Sequence, residues 1–328
     1  MLFFMRNVLL AGLLVAVPPA WGQGQGDAAA DFPAKPIRIV VGFTPGGGPD
    51  VTARYIAQKL GESWKQQVLV ENRPGAGGTV AAGMVARAAP DGYTLLSVSS
   101  AHAIAAAIYP KLPYDTFADL SGVMLTATSK YVLVVPPSLG IKSVSDLVAA
   151  AKAKPGQLNF SSPGVGSANH LAGELFASMA GIKAVHVPYK GIPEAMTAVI
   201  SGSIQFNFSP VVNVLPLSRD GKLLALAAST GKRAASMPDL PTVAEAGVSG
   251  YVFDPWFGML TRAKTPKALL DKLSREIARV VELPDVREKM RGLGAEPAPT
   301  TPDAFDAHVR AEVARFQKIV RDAGIKPE

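Results

Sequence analysis

The chain reads as an α/β protein built of two units, each a sheet flanked by helices. Three observations predict this. Short apolar, β-branched runs alternate with amphipathic stretches of helical period through residues 37–228, the mark of repeated strand–turn–helix units. Two of the strand-to-helix turns are rich in glycine, one at 43–50 and one at 161–167. Between them YVLVV at 131–135 is a strongly β-forming run that stops at Pro136 and Pro137, and it marks the crossing into the second unit. Strand–turn–helix repetition places the strands in parallel sheets with helices packed on them.

The chain opens with Arg6, an apolar run at 8–17, and the small residues Ala20 and Gly22. Basic start, short apolar run and small-residue exit predict a secretory signal peptide over 1–22, cut before Gln23. The run is too short to span a bilayer, which takes about 20 residues. With no Cys in the chain, a lipid anchor on a processed N-terminal Cys is excluded. The mature protein is expected to work outside the cytoplasm without a lipid anchor. Residues 23–34, rich in Gly, Gln and Ala, read as a flexible leader.

The β-branched run at 37–43 is a buried strand, followed by an amphipathic helix over 51–64 with Ile56 and Leu60 on one face. A strand at 68–70, an Ala-rich helix ending at 88 and a strand at 94–98 continue the pattern. In the second unit Ser143 and Asp146 have the spacing of a capping box for a helix to 153. Strands follow at 158–161, 185–187, 204–208 and 223–228, with helices at 168–180 and 194–200. The chain then returns to the first unit, and its tail is helical over 266–281, 284–291 and 302–323, with Thr265 and Thr301 as caps before proline.

Composition excludes several function classes. A hydrophobic fraction of 48% supports a real core. Stability in a protein without Cys comes from packing rather than disulfides, and Cys nucleophiles and Cys metal sites are absent. The net charge of +7 is mild and scattered, which gives nucleic-acid binding no support. The four His residues, His102, His170, His186 and His308, show no HExxH or other helix-face metal spacing. The sequence lacks a GxSxG nucleophile elbow and a P-loop, and its GxG turns miss the third glycine of a dinucleotide fingerprint. No cofactor, metal or catalytic residue is expected.

The chemistry is expected at the two glycine turns. The first N–H groups of a helix have no intrahelical partner, and the helix dipole adds positive potential there. Glycine lets bare backbone approach a ligand. Such turns bind carboxylate or phosphate without Arg or Lys. One turn in each half predicts an anion held between two units, at the C-terminal ends of their strands.

The motifs FTPGGGPD at 43–50, ENRPGAGG at 71–78, PDGYT at 90–94, SSPGVGS at 161–167, HLAGE at 170–174, VPYKG at 187–191 and LPTVAEAG at 240–247 occur in order along the mature chain. Together they resemble the Bug family, periplasmic solute-binding proteins of tripartite tricarboxylate transporters. The resemblance implies a type II periplasmic-binding-protein fold with mixed, mainly parallel sheets and a cleft between two lobes. Residues 35–133 with 232–328 would form lobe 1 and 134–231 lobe 2. It implies a small carboxylate ligand, the membrane subunits of a tripartite transporter as partners, and a periplasmic location. The ligand-binding set it implies is Phe43, Gly46, Gly47, Asp50, Ser99, Ser100 and His102 from lobe 1, and Gly164, Gly166, Ser167, His170, Lys190 and Asn207 from lobe 2. Asp50 would cap its helix and fix the loop, because a carboxylate beside a bound carboxylate repels it.

One departure from the family pattern is Asn207, where Asp is common. Loss of that charge predicts a plain mono- or dicarboxylate, aromatic acids included, over an amino acid. A monomer is expected, since no coiled-coil seam occurs. Two alternatives stay open at this point: a ligand sensor for a two-component system, and an exported hydrolase using Ser167 with His170.

Overall fold

The structure is a computed structural model that describes residues 30–325 except 235. The expected signal peptide, and the leader up to 29, lie outside the described residues.

β1 (Ile37–Val41) is buried along its length except at Arg38, as a strand inside a parallel sheet requires. α1 (Gly48–Trp64) covers it with Ile56, Ala57 and Leu60. β2 (Val68–Asn72) pairs in parallel with one side of β1, and β3 (Thr94–Ser99) in parallel with the other. α2 (Thr79–Val85) connects them, α3 (Ala101–Ile108) follows β3, and β4 (Leu120–Ser129) completes this passage. β5 (Tyr131–Val135), buried at every residue, opens the second sheet. It continues through α4 (Val144–Ala153), β6 (Leu158–Ser162), α5 (Ala168–Ala180), β7 (Ala184–Pro188), α6 (Ile192–Ile200), β8 (Phe206–Pro210), α7 (Val211–Arg219) and β9 (Leu224–Ala228). The chain returns as β10 (Trp256–Arg262), α8 (Lys267–Val281), α9 (Pro284–Gly292), β11 (Ala295–Pro297) and α10 (Pro302–Ala323).

The strand order is β11-β4-β10-β3-β1-β2 in the first sheet and β7-β6-β8-β5-β9 in the second. In each sheet one strand, β1 or β6, leads to a neighbour on one side and then to a neighbour on the other, all in parallel. That reversal opens a crevice at the C-terminal ends of the strands. The remaining pairs, through β4, β10 and β11 in one sheet and β5 and β9 in the other, are antiparallel. The sheets are therefore mixed, with the parallel pairs gathered where the glycine turns lie.

The two passages between sheets run side by side. Ser229 N–H donates to Tyr131 O at 2.9 Å, Phe253 N–H to Ser229 O at 2.7 Å, and Ser129 N–H to Pro255 O at 2.6 Å. α10 packs on α3 beside the first sheet and on α5 beside the second. Its Phe305 and Phe316 rings meet Trp256 and Phe253, at 5.5 and 6.0 Å between centroids.

β4 and β10 were not anticipated from the sequence, and glycine is the reason. A Cβ on Gly122 of β4 would stand 2.8 Å from Asp306 Oδ1, and one on Gly258 of β10 would stand 2.2 Å from the Phe305 ring. These strands trade β-propensity for the close approach of α10. Among the described residues no helix is long and apolar enough to cross a membrane.

Candidate functional site

β1 ends in the turn that holds Phe43, Gly46 and Gly47. Gly46 has φ +88°, a left-handed conformation open to glycine at little cost. Its N–H donates to Asp50 Oδ2 at 2.8 Å. Asp50 is 1% exposed. Its oxygens also accept from Asn72 Nδ2 at 2.7 Å and from Arg54 Nε at 3.0 and 3.1 Å. Asn72 Nδ2 reaches Phe43 O as well, at 3.0 Å, and Arg54 Nη2 donates to Asn72 Oδ1 at 2.8 Å. Burial pushes the Asp50 carboxyl up, but the hydrogen bonds from Arg54, Gly46 and Asn72 and the Arg54 charge outweigh it and hold it below its ordinary value. Asp50 therefore ties the turn to α1 and β2, with its oxygens occupied by these donors. Gly47, the N-cap of α1, brings no side-chain acceptor to the first helical turn.

β3 ends beside this turn. Ser99 Oγ accepts from Ala101 N–H at 3.3 Å. A small cavity of about 10 Å³, room for one water molecule, lies between the ends of β1 and β3. Phe43, Gly77, Gly78, Thr79, Ser99, His102 and Tyr114 are among its walls. The His102 and Tyr114 rings stack at 6.1 Å with an interplanar angle of 5°. His102 Nε2 and Tyr114 Oη are buried without a protein partner. Burial pushes His102 down to about 4, so it is a neutral imidazole at neutral pH.

The second sheet repeats the design. β6 ends in Ser162, and the turn that follows holds Gly164 at φ +130° and Gly166 at φ +75°. Ser167 caps α5, its Oγ accepting from His170 N–H at 3.2 Å. His170 Nδ1 accepts from Gly166 N–H at 3.2 Å, and His170 Nε2 lies 3.4 Å from Glu174 Oε1. The hydrolase alternative needs His170 as a base on the Ser167 hydroxyl. Here the ring nitrogens are turned to Gly166 and Glu174 instead. Lys190, exposed after β7, lines a depression of about 530 Å³ with Gly164, Val165, Pro188, Tyr189 and Glu194.

Two residues of the expected contact set spend polar atoms inside the protein. Ser100 is 1% exposed, and its Oγ accepts from Trp256 N–H at 2.9 Å, which fastens the end of β3 to β10. Asn207 is fully buried in β8. Its Nδ2 donates to Ser161 O at 2.8 Å and Ser161 Oγ at 2.9 Å, and its Oδ1 accepts from Ser209 Oγ. The amide is consumed inside the sheet and offers no cleft contact to select plain acids over amino acids. The sequence reading left unassigned Asn72, Gly77, Gly78 and Thr79 at the first turn and Tyr114 beside them. The ENRPGAGG motif carried the signal for the first three of these. Ser162 and His186 beneath the second turn were also unassigned.

Two sheets joined by paired passages, each with a glycine turn at its crevice, define a two-lobed solute-binding protein. The family model "Tripartite tricarboxylate transporter family receptor" matches residues 52–325. Protein BugT of Bordetella pertussis is 36% identical over 323 residues, 98% of each chain. The structure titled R. palustris Rpa4515 with adipate superimposes with a TM-score of 0.81 at 35% identity, over 91% of this chain and all of that one. MatC from Rhodopseudomonas palustris with bound malate gives 0.77 at 30% identity, over 88% of this chain and 100% of that one. The periplasmic binding protein BugD gives 0.78 at 29% identity, over 90% and 100%. The chain belongs to the tripartite tricarboxylate transporter receptor family, the Bug proteins, which are periplasmic solute-binding receptors and not enzymes.

Proposed function

We propose that this receptor captures a small mono- or dicarboxylate between its lobes by closure and delivers it to the membrane subunits of a tripartite transporter. The observation that carries this reading is the matched pair of glycine turns, each at the crevice of its own sheet. Each presents the start of a helix to the same kind of group. A carboxylate on backbone N–H groups gains charge-assisted hydrogen bonds worth roughly 1.5–3 kcal/mol each. Closure excludes water and strengthens them. The carboxylate-bound relatives, one with adipate and one with malate, support the ligand class.

In this reading Phe43, Gly47 and Ser99 meet the acid from lobe 1, and Gly164, Ser167 and Lys190 from lobe 2. Ser167 Oγ accepts from His170 N–H and keeps its hydroxyl hydrogen to donate. Asp50 and His170 shape the turns through Gly46 and Gly166. The lobes comprise 35–133 with 232–328, and 134–231. A signal peptide over 1–22 takes the protein to the periplasm, where it works as a monomer.

The test is a thermal-shift screen of mature protein, freed of carried ligand, against small carboxylic acids and their amides. An acid at 100 times its Kd stabilises the fold by about 2.7 kcal/mol. Shifts with acids and none with amides support the reading. A flat panel from folded protein, or equal shifts with amides, overturns it.

A further inference from the structure

The two turns share a latch but differ in its chemistry. In the first sheet the Gly46 N–H is held by a carboxylate that stays ionised. In the second the Gly166 N–H is held by an imidazole nitrogen, and a ring nitrogen accepts only while it carries no proton. The Gly166 bond therefore requires a neutral His170 with its hydrogen on Nε2, the nitrogen facing Glu174.

The ring has a second constraint. His170 stacks on His186 of β7 with centroids 3.8 Å apart and planes 19° apart. His186 Nε2 lies 2.7 Å from Ser162 Oγ. Ser162 Oγ accepts from Gly164 N–H at 3.1 Å and stands 2.9 Å from Gly164 O. Both glycines of the turn are thus tied to the imidazole pair, Gly166 through His170 and Gly164 through Ser162. Burial and the neighbouring His170 push His186 down to about 3, so His186 is a neutral imidazole in mild acid.

The groups around the pair can be named element by element. β6 contributes the Phe160 ring, 6.2 Å from His170 and 5.0 Å from His186. β8 pairs with β6 and stacks Phe206 on Phe160, at 5.3 Å between centroids. α5 contributes Glu174. Lys190 and Glu194 line the depression beside Gly164. α10, packed on α5, turns Glu312 to Trp256 and Arg315 to Val252 O.

We propose that His170 is a positioning residue for the second-lobe turn, holding Gly166 only while its Nδ1 is bare, so that protonation unlatches the turn and weakens ligand capture. The proton binds the Nδ1 lone pair that Gly166 N–H had used. The two N–H groups then face each other and repel, while the new charge is met by Glu174. Asp50 keeps the first turn latched under the same conditions. This proposal rests on the binding reading above and adds a pH dependence seated in one lobe.

The experiment compares wild type, His170→Gln and His170→Phe. Gln keeps an acceptor oxygen that does not titrate, and Phe keeps a ring to stack but offers no acceptor. Adipate binding is measured by calorimetry at about pH 7.5 and about pH 5.5. The Gly166 amide NMR shift is followed over the same range without ligand. Protonation of adipate is common to all three proteins and cancels in the comparison.

Loss of one hydrogen bond predicts that wild type weakens about fivefold more on acidification than His170→Gln does. The Gly166 amide shift should titrate in wild type and stay flat in the Gln variant. His170→Phe should bind weakly at both pH values. Equal pH dependence of wild type and His170→Gln overturns the proposal, as does a non-titrating Gly166 amide in wild type. If wild type binds no acid but the Gly166 amide titrates only with His170 present, the latch stands and the binding reading falls.

Discussion

Asp50 and His170 occupy the same place in the two halves of the molecule. Each is the third residue of the helix after a glycine turn, and each accepts the N–H of the glycine four residues earlier. The distances are 2.8 Å from Gly46 and 3.2 Å from Gly166. Both glycines are left-handed, at φ +88° and +75°. A side chain reaching back from the third helical position is the logic of a capping box, applied here one residue further upstream. It fixes the path of a turn whose glycines would otherwise leave it mobile.

Asp50→Ala should loosen the first turn and leave Arg54 and Asn72 short of their acceptor. The expected cost is about 1–3 kcal/mol in denaturant unfolding, with weaker carboxylate binding. Unchanged stability would show that Asp50 does not organise the turn.

Gly47→Val should separate binding from folding. Gly47 has φ −73° and ψ 162°, which valine adopts readily. A Cβ there comes no nearer than 3.7 Å to Thr44 O. Stability should change by less than about 1 kcal/mol, while the added methyls fill the proposed anion position and abolish binding. Wild-type affinity in this variant would move the site elsewhere.

Gly258→Ala tests the docking of α10. The new methyl would collide with the buried Phe305 ring, 2.2 Å away. Overpacking of this kind costs about 1–3 kcal/mol, read as a lower unfolding midpoint. An unchanged midpoint would mean that the ring moves aside freely.

Acid should destabilise the fold in a defined direction. His102 and His186 are pushed down to about 4 and about 3 by burial, His186 also by His170. On acidification the unfolded chain takes up their protons first, near the ordinary value of about 6.5. Stability is therefore full above about pH 6.5 and falls as pH drops toward the folded values. For His102 the loss amounts to roughly 3 kcal/mol by about pH 4. His102→Leu should remove part of this slope, and an unchanged slope would show that His102 is not the buried acid-sensitive group.

Much of this was legible in the sequence because the parallel halves of the sheets obey local rules. The β-branched run at β1 and the tail helices announce themselves through period, and Thr301 caps α10 as expected. Thr265 does not cap α8, which starts after Pro266 while the Thr265 hydroxyl donates to Arg262 O. β4 and β10 did not announce themselves, because Gly122 and Gly258 exist for the approach of Phe305 and Asp306, residues far away in the chain, and β11, at three residues, is too short to show a period. The same limit applied to the site. The glycine turns were visible as motifs. The burial of Ser100 and Asn207 is a property of the strands around them, since Trp256 and Ser161 consume their polar atoms. The stacking of His170 on His186 depends on the register of β6 with β7, which pairs Phe160 with His186 and which spacing does not reveal.

The most direct test of the account is amide NMR of the mature, deuterated protein during titration with an acid that stabilises it. The Gly47 and Gly48 amides of lobe 1 and the Gly164 and Ser167 amides of lobe 2 should shift together and saturate at one ligand concentration. Saturating binding that moves the amides of neither turn, or of one turn only, would contradict the claim that paired glycine turns hold the carboxylate.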